Sequence, residues 1–152
     1  LTLGGSGMGA TEAVIAGRVT FSLNLKGPAQ IINTACSASL VSMHSGKLHL
    51  RFPHDRMESA LTTGISINTT PHIFFGNCTT NALSFMGRSF TFDKSADGFG
   101  RSEGTSAAVF KLLDYSRDVY GILAGSQANH DGRSASLTAP NGPAQERCIR
   151  SV

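Results

Sequence analysis

The sequence predicts an α/β chain. Segments whose apolar residues fall at helical spacing alternate with short, nearly continuous apolar runs, and glycines and prolines mark the junctions. The 17 glycines among 152 residues supply the tight corners such alternation needs. Residues 10–21, ATEAVIAGRVTF, read as the first helix. Gly27-Pro28 is a turn signal, and Ala29 to Asn33 reads as a short strand carrying Ile31 and Ile32. Leu40, Val41, Met43, His44 and Leu48 return to helical spacing, and that pattern ends before Pro53. Residues 59–67, SALTTGISI, are β-rich and bounded by turns. PHIFFGNC, 71–78, fits either a short helix opened by Pro71 or an apolar loop, and periodicity does not separate the two. GTSAAVFKLL (104–113) and YGILAGSQAN (120–129) are strand candidates on either side of a polar break at 114–118. APNGPAQERCIR (139–150) announces a last helix, with Asn141 or Gly142 as cap and Pro143 in its first turn.

Composition narrows the function classes. The chain is 40% hydrophobic and 15% charged, as in ordinary globular proteins, and no apolar run approaches the length of a membrane span. Its net charge of +3 comes from scattered Lys and Arg without a basic stripe or interleaved aromatics, so neither nucleic acid nor a membrane is an expected partner. Cysteines at 36, 78 and 148 have no CxxC spacing. That argues against a metal site or a disulfide framework and for a reducing compartment, the cytoplasm. The chain starts at Leu1 and stops at Val152 inside a helix-like run, as a piece of a longer protein would.

Within INTACSASL, residues 32–40, a cysteine stands among small residues between an apolar run and a helical one. This places Cys36 at a strand-to-helix corner. The first N–H groups of a helix lack internal partners, and the macrodipole adds partial positive charge there. Both favour a thiolate and can stabilise the oxyanion of an acyl group on the sulfur. A buried structural cysteine is the competing reading of the corner alone.

Several stretches together resemble one family, the β-ketoacyl synthases, and within it the ketosynthase domains of modular polyketide synthases. NTACSASLVSMH (33–44) is similar to the family's nucleophile segment, and AGRVTFSLNLKGP (16–28) to the segment before it. FDKSADGFGRSEG (92–104) and NHDGRSASLTAPNGPAQ (129–145) resemble two further family runs in the expected order. The resemblance implies a thiolase-like, layered αβαβα fold, incomplete here. Residues 1–115 would be most of the first half, and 119–152 the start of the second. It implies a homodimer joined through the strand Ala29–Asn33. The implied reaction is a decarboxylative Claisen condensation, an acyltransferase chemistry in which Cys36 takes the acyl chain and a carrier-bound malonyl unit extends it. The partner is then an acyl carrier protein whose phosphopantetheine arm carries the substrates; the chain itself binds no cofactor and no metal. The family's two catalytic histidines and its lysine belong to motifs that do not occur here, so the 152-residue chain is expected to be inactive by itself.

The sequence departs from the family pattern in places. Asn33 stands where Asp is usual, and Ala38 where Ser is usual. RFPHD (51–55) carries about two extra positions, which a surface loop tolerates. Asn77 occupies a place where the family often has Phe beside the acyl pocket, making it a candidate substrate-binding residue. Other residues invite chemical readings that the pattern disfavours. His130 beside Asp131 suggests a triad, but that loop position can be Gln in the family. His44 lies two helical turns beyond Cys36 and points along the helix. His49, His54 and His72 fall in polar or loop-like surroundings. Cys78 and Cys148 lack a helix-start context and read as structural. Asp97 and Glu103 fit turn-stabilising roles at least as well as orientation of a catalytic partner. Gly98, Gly100 and Gly104 do not have the spacing of a phosphate loop. Competing functions are a fatty-acid synthase condensing domain, a catalytically silent dimerisation and carrier-docking module, and a papain-like hydrolase.

Overall fold

The computed structural model describes residues 11–54 and 57–152. Ala10, which opens the first expected helix, and Asp55 of the RFPHD loop lie outside the described residues. In chain order the elements are α1 (Glu12–Ser22), a 3-10 turn (Ala35–Ser37), α2 (Ala38–Arg51), β1 (Ala60–Ser66), α3 (His72–Thr79), β2 (Gly104–Phe110), a second 3-10 turn (Leu113–Tyr115) and α4 (Gly142–Arg150). β1 and β2 pair as a two-stranded sheet. The chain divides into two compact units, 1–62 with 109–152, and 63–108. No helix among the described residues is long and apolar enough to cross a membrane.

In the first unit, each helix ends for a local chemical reason. Glu12 places a carboxylate in the first turn of α1, where the macrodipole favours it. Asn24, at φ +51, closes the other end: its N–H donates to the Phe21 carbonyl, and the Leu25 N–H reaches back to Thr20 at 2.8 Å. This pair of bonds satisfies carbonyls a helix end would leave open, and Asn tolerates the left-handed backbone better than most residues. α2 stops at Phe52, whose backbone is extended because Pro53 follows it. One face of α2 lies close to the sheet: a Cβ on Gly46 would stand 3.1 Å from Thr62 Cγ2, so glycine sets the approach. Leu50 and Thr62 are buried in this unit. α4 begins at Asn141, whose Oδ1 accepts the Ala144 N–H, with Pro143 in the first turn.

The second unit is held by backbone crossings. α3 forms from PHIFFGNC, resolving the helix-or-loop question, and ends at Asn81 (φ +53) by the same two-bond closure as α1, with the Ala82 N–H on the Asn77 carbonyl. The chain then passes directly against FDKSADGFGRSEG. Leu83 and Phe99 form a parallel bridge, the Ser84 N–H donating to the Phe99 carbonyl at 3.1 Å and the Phe99 N–H to the Ala82 carbonyl at 2.9 Å. Gly98 has φ +140, and a Cβ there would lie 2.5 Å from the Leu83 carbonyl carbon and the Ser84 nitrogen. The motif's polar residues tie down the same crossing. Asp97 accepts from the Phe85 N–H, Glu103 from the Asn68 N–H, and Arg101 Nε donates to Asn68 Oδ1 at 2.7 Å. The Ser95 hydroxyl and N–H hold the exposed Asp93 carboxyl below the ordinary aspartate value of 3.8. A lowered carboxyl stabilises this turn above the unfolded aspartate range and ceases to do so as pH falls through the lowered value.

Two expected strands do not form. Ala29–Asn33 and residues 120–129 carry no ladder. A strand is defined by pairing to a neighbour, and apolar composition supplies only the faces, not the partner. In 120–129, Ser126 is bonded instead to the side chains of α2. The other expected elements are present, with ends shifted by up to three residues.

Hydrophobic burial is sparse. Only Leu50 and Ala144 are buried apolar side chains among the described residues, while Phe85, Phe92, Tyr120 and Leu137 are almost wholly exposed. The tight crossing at Gly98 yields a direct expectation. Gly98→Ala forces a side chain into backbone at a left-handed position, and should destabilise the full-length protein by about 3 kcal/mol. Denaturant unfolding measures it, and an unchanged midpoint at unchanged slope contradicts the crossing.

Candidate active site

The residues around Cys36 form a closed turn at the start of α2. Asn33 Oδ1 accepts the Ala35 N–H at 3.3 Å, so the residue standing in place of Asp still provides the turn's acceptor. Ala35 is left-handed, at φ +56. A non-glycine residue there costs about 1–2 kcal/mol. Ser37 Oγ donates to the Thr34 carbonyl at 2.9 Å and lies 2.9 Å from the Thr34 hydroxyl, and the Ala38 N–H donates to the Ala35 carbonyl. Each such bond contributes about 1 kcal/mol net, so together they suffice to hold the strained corner. The result is an exposed Cys36 in the tight turn that leads into a 14-residue helix. The helix side of the predicted corner is present, while its strand side is not, and composition does not reveal the 3-10 turn or the left-handed alanine.

The other two thiols occupy the opposite electrostatic setting. Cys78 lies in the last turn of α3 and Cys148 in the last turn of α4. Helix C-termini present carbonyls and the negative end of the dipole in place of free N–H groups. Cys78 is exposed and Cys148 half-buried.

The histidines have partners of their own. His44 Nδ1 is 3.0 Å from Ser126 Oγ. His130 Nδ1 accepts the Gly132 N–H at 2.8 Å and closes its own loop. His54 packs edge-on against Phe52, and His72 against Phe75. Asp131, the apparent partner of His130, takes the Asn141 N–H on Oδ2 and the Asn141 amide on its backbone carbonyl. Asn129 donates to the Ala144 carbonyl at 2.8 Å. The NHDG…APNGP run is therefore a clamp that docks its loop onto the start of α4. Asn77 is half-exposed in α3, its Nδ2 donating to the Ile73 carbonyl one turn back at 2.8 Å. It belongs to the other compact unit from Cys36.

No group of three or more potential metal ligands occurs among the described residues. A groove of about 760 Å³ is lined by Leu50, Phe52, Lys111 and Tyr115. It lies at the far end of α2, about 20 Å along the helix from Cys36, and is not where an acyl group on that sulfur would rest.

Comparison with known proteins places the chain in one family. Residues 3–115 match the family profile "Beta-ketoacyl synthase, N-terminal domain". Erythronolide synthase EryA3 of Saccharopolyspora erythraea is 41% identical over 152 residues, covering 97% of this chain and 5% of that protein. Pikromycin polyketide synthase component PikAII of Streptomyces venezuelae is 42% identical over 148 residues, covering 95% of this chain and 4% of that protein. Among solved structures, the ketosynthase from module 6 of the bacillaene synthase of Bacillus subtilis 168 superposes with a TM-score of 0.87 at 37% identity, covering 94% of this chain and 26% of that one. The chain thus spans about a quarter of the solved ketosynthase it matches, and its fold is the corresponding part of the thiolase-like fold. With a family profile covering most of its length and relatives at this identity throughout, the chain belongs to the β-ketoacyl synthase family.

Proposed function

We propose that this chain is the nucleophile-bearing part of a polyketide synthase ketosynthase, and that Cys36 is its nucleophile. The observation that carries the reading is the exposed thiol on a strained, hydrogen-bonded turn at the head of α2. The Cys36 sulfur attacks the thioester of an acyl chain delivered on the phosphopantetheine of an acyl carrier protein. A new carbon–sulfur bond forms, and the carrier thiol leaves with the proton. A carrier-bound malonyl unit then loses carbon dioxide, and the resulting carbanion attacks the acyl thioester on Cys36. The carbon–carbon bond forms as the Cys36 thiolate departs, ready for the next chain. Helix-start N–H groups support charge on the sulfur and on the thioester oxygen. The histidines and lysine that the family uses for the carbanion are outside this chain, so condensation belongs to the full-length protein.

Three further assignments accompany this reading. Residues 1–115 form the first ketosynthase half and 119–152 open the second; the family profile's end at residue 115 supports that division. Asn77 contributes a polar group beside the acyl pocket. The chain dimerises through Ala29–Asn33, a segment with no ladder of its own and with Ile31 exposed, as the edge of a two-fold pairing requires. Three unpaired cysteines fit the cytoplasm as compartment. A fatty-acid synthase condensing domain shares the chemistry, but the relatives reported above are polyketide synthases. A silent docking module has no use for an exposed helix-start thiol.

Limiting iodoacetamide near neutral pH, applied to the full-length protein and mapped by peptide mass, should label Cys36 ahead of Cys78 and Cys148. Preferential labelling of either of the latter contradicts the assignment. Ile31→Lys should weaken the dimer by placing a charge on the pairing edge, read as a shift toward monomer in sedimentation velocity. An unchanged dimer argues against that interface.

A further inference from the structure

We infer that His44, Lys47 and Ser126 form a strap that sets the position of the nucleophile; the inference rests on the reading of Cys36 given above. His44 and Lys47 stand three residues apart and so share one face of α2. Both reach the same residue. His44 Nδ1 meets the Ser126 side chain at 3.0 Å, while Lys47 Nζ donates to the Ser126 backbone carbonyl at 2.8 Å. All four bonded groups are partly buried, and Ser126 is separated from the helix by 82 and 79 positions.

The geometry of these bonds makes them positioning contacts. One bond to a helix leaves it free to pivot; two bonds a turn apart oppose both sliding along the axis and rotation about it. The two bonds add to the close approach of Gly46 to Thr62 and to the Ser45–Gln30 hydrogen bond made by the same helix. Its N-terminus has no side-chain cap, and Leu50, near its other end, is its one buried residue. The 14-residue helix transmits the restraint as a stiff rod. Cys36 lies two turns, about 12 Å, ahead of His44, joined through the 3-10 turn. A small rotation at the strap therefore becomes a displacement of the sulfur, and displacements near 1 Å can cost about a hundredfold in rate. The strap also joins the helix bearing the nucleophile to residues 120–129, on the far side of the polar break at 114–118.

The test is acylation of Cys36 in the full-length protein, with hexanoyl-N-acetylcysteamine thioester as probe. The Cys36–acyl bond forms, the probe's thioester bond breaks, and N-acetylcysteamine leaves with the proton. The saturated rate and the half-saturating probe concentration are measured by mass spectrometry, with the adduct mapped to its cysteine. His44→Leu should lower the saturated rate about tenfold and leave the half-saturating concentration unchanged. His44→Asn, whose amide falls near the place of Nδ1, should restore most of the rate. Lys47→Met should slow acylation in the same manner, and Lys47→Arg should recover it. A general loss of stability predicts neither recovery nor this separation of rate from binding. Wild-type saturated rates in both His44→Leu and Lys47→Met, with Cys36 acylated, overturn the strap while leaving the nucleophile intact; equal rates in His44→Leu and His44→Asn do the same. If His44→Leu does not fold, the lysine pair decides. An adduct on Cys78 or Cys148 in the unaltered protein overturns the nucleophile assignment, and the positioning role with it.

Discussion

The corner between Asn33 and Ala38 is the constraint on which the proposed chemistry depends. A left-handed alanine there is unfavourable, and the chain accepts it because Asn33, Ser37 and Ala38 each return a hydrogen bond to the same turn. Relaxing Ala35 toward an ordinary helical backbone would extend α2 backward and wind Cys36 into its side. Keeping it left-handed leaves the sulfur exposed at the helix head. Small residues on both sides are what such a corner admits, since a bulky side chain would crowd the approach of a thioester.

The motif-like runs that follow are mostly architectural. Gly98 is glycine because another backbone occupies the space of its side chain, and Asp97 and Glu103 accept backbone N–H groups of neighbouring turns. Asp131, Asn129 and Asn141 perform the same service where the last loop meets α4. A reader looking for a catalytic triad or a phosphate cradle in these runs finds instead donors and acceptors already engaged. The thiols follow a comparable division. One stands where a helix begins, and the other two where helices end. Helix direction thus distinguishes three residues of identical intrinsic chemistry.

Much of this was legible in the residues. Helical spacing gave α1, α2 and α4, and Asn141 with Pro143 marked the start of α4 in the order capping chemistry requires. Small residues around Cys36 announced its corner. Pairing was not legible: Ala29–Asn33 and 120–129 have strand composition, but composition does not name a partner. The positive φ of Ala35 was also hidden, because nothing local distinguishes an alanine that will be left-handed. Asn24 and Asn81 each stand just past a helical run, a signal of helix closure that was not read from the sequence. The bond between α2 and Ser126 had no local signal, since it joins residues about half the chain apart. Asn77 illustrates a different gap, because its helix was ambiguous in the sequence.

The most direct measurement is carbon–carbon bond formation by the full-length protein, supplied with an acyl thioester and a malonyl-loaded carrier protein. The account predicts a β-ketoacyl product on the carrier with one carbon dioxide released per bond, and loss of that product in Cys36→Ala. A free carboxylic acid in place of the ketoacyl product, or product at the unaltered rate from Cys36→Ala, would contradict it.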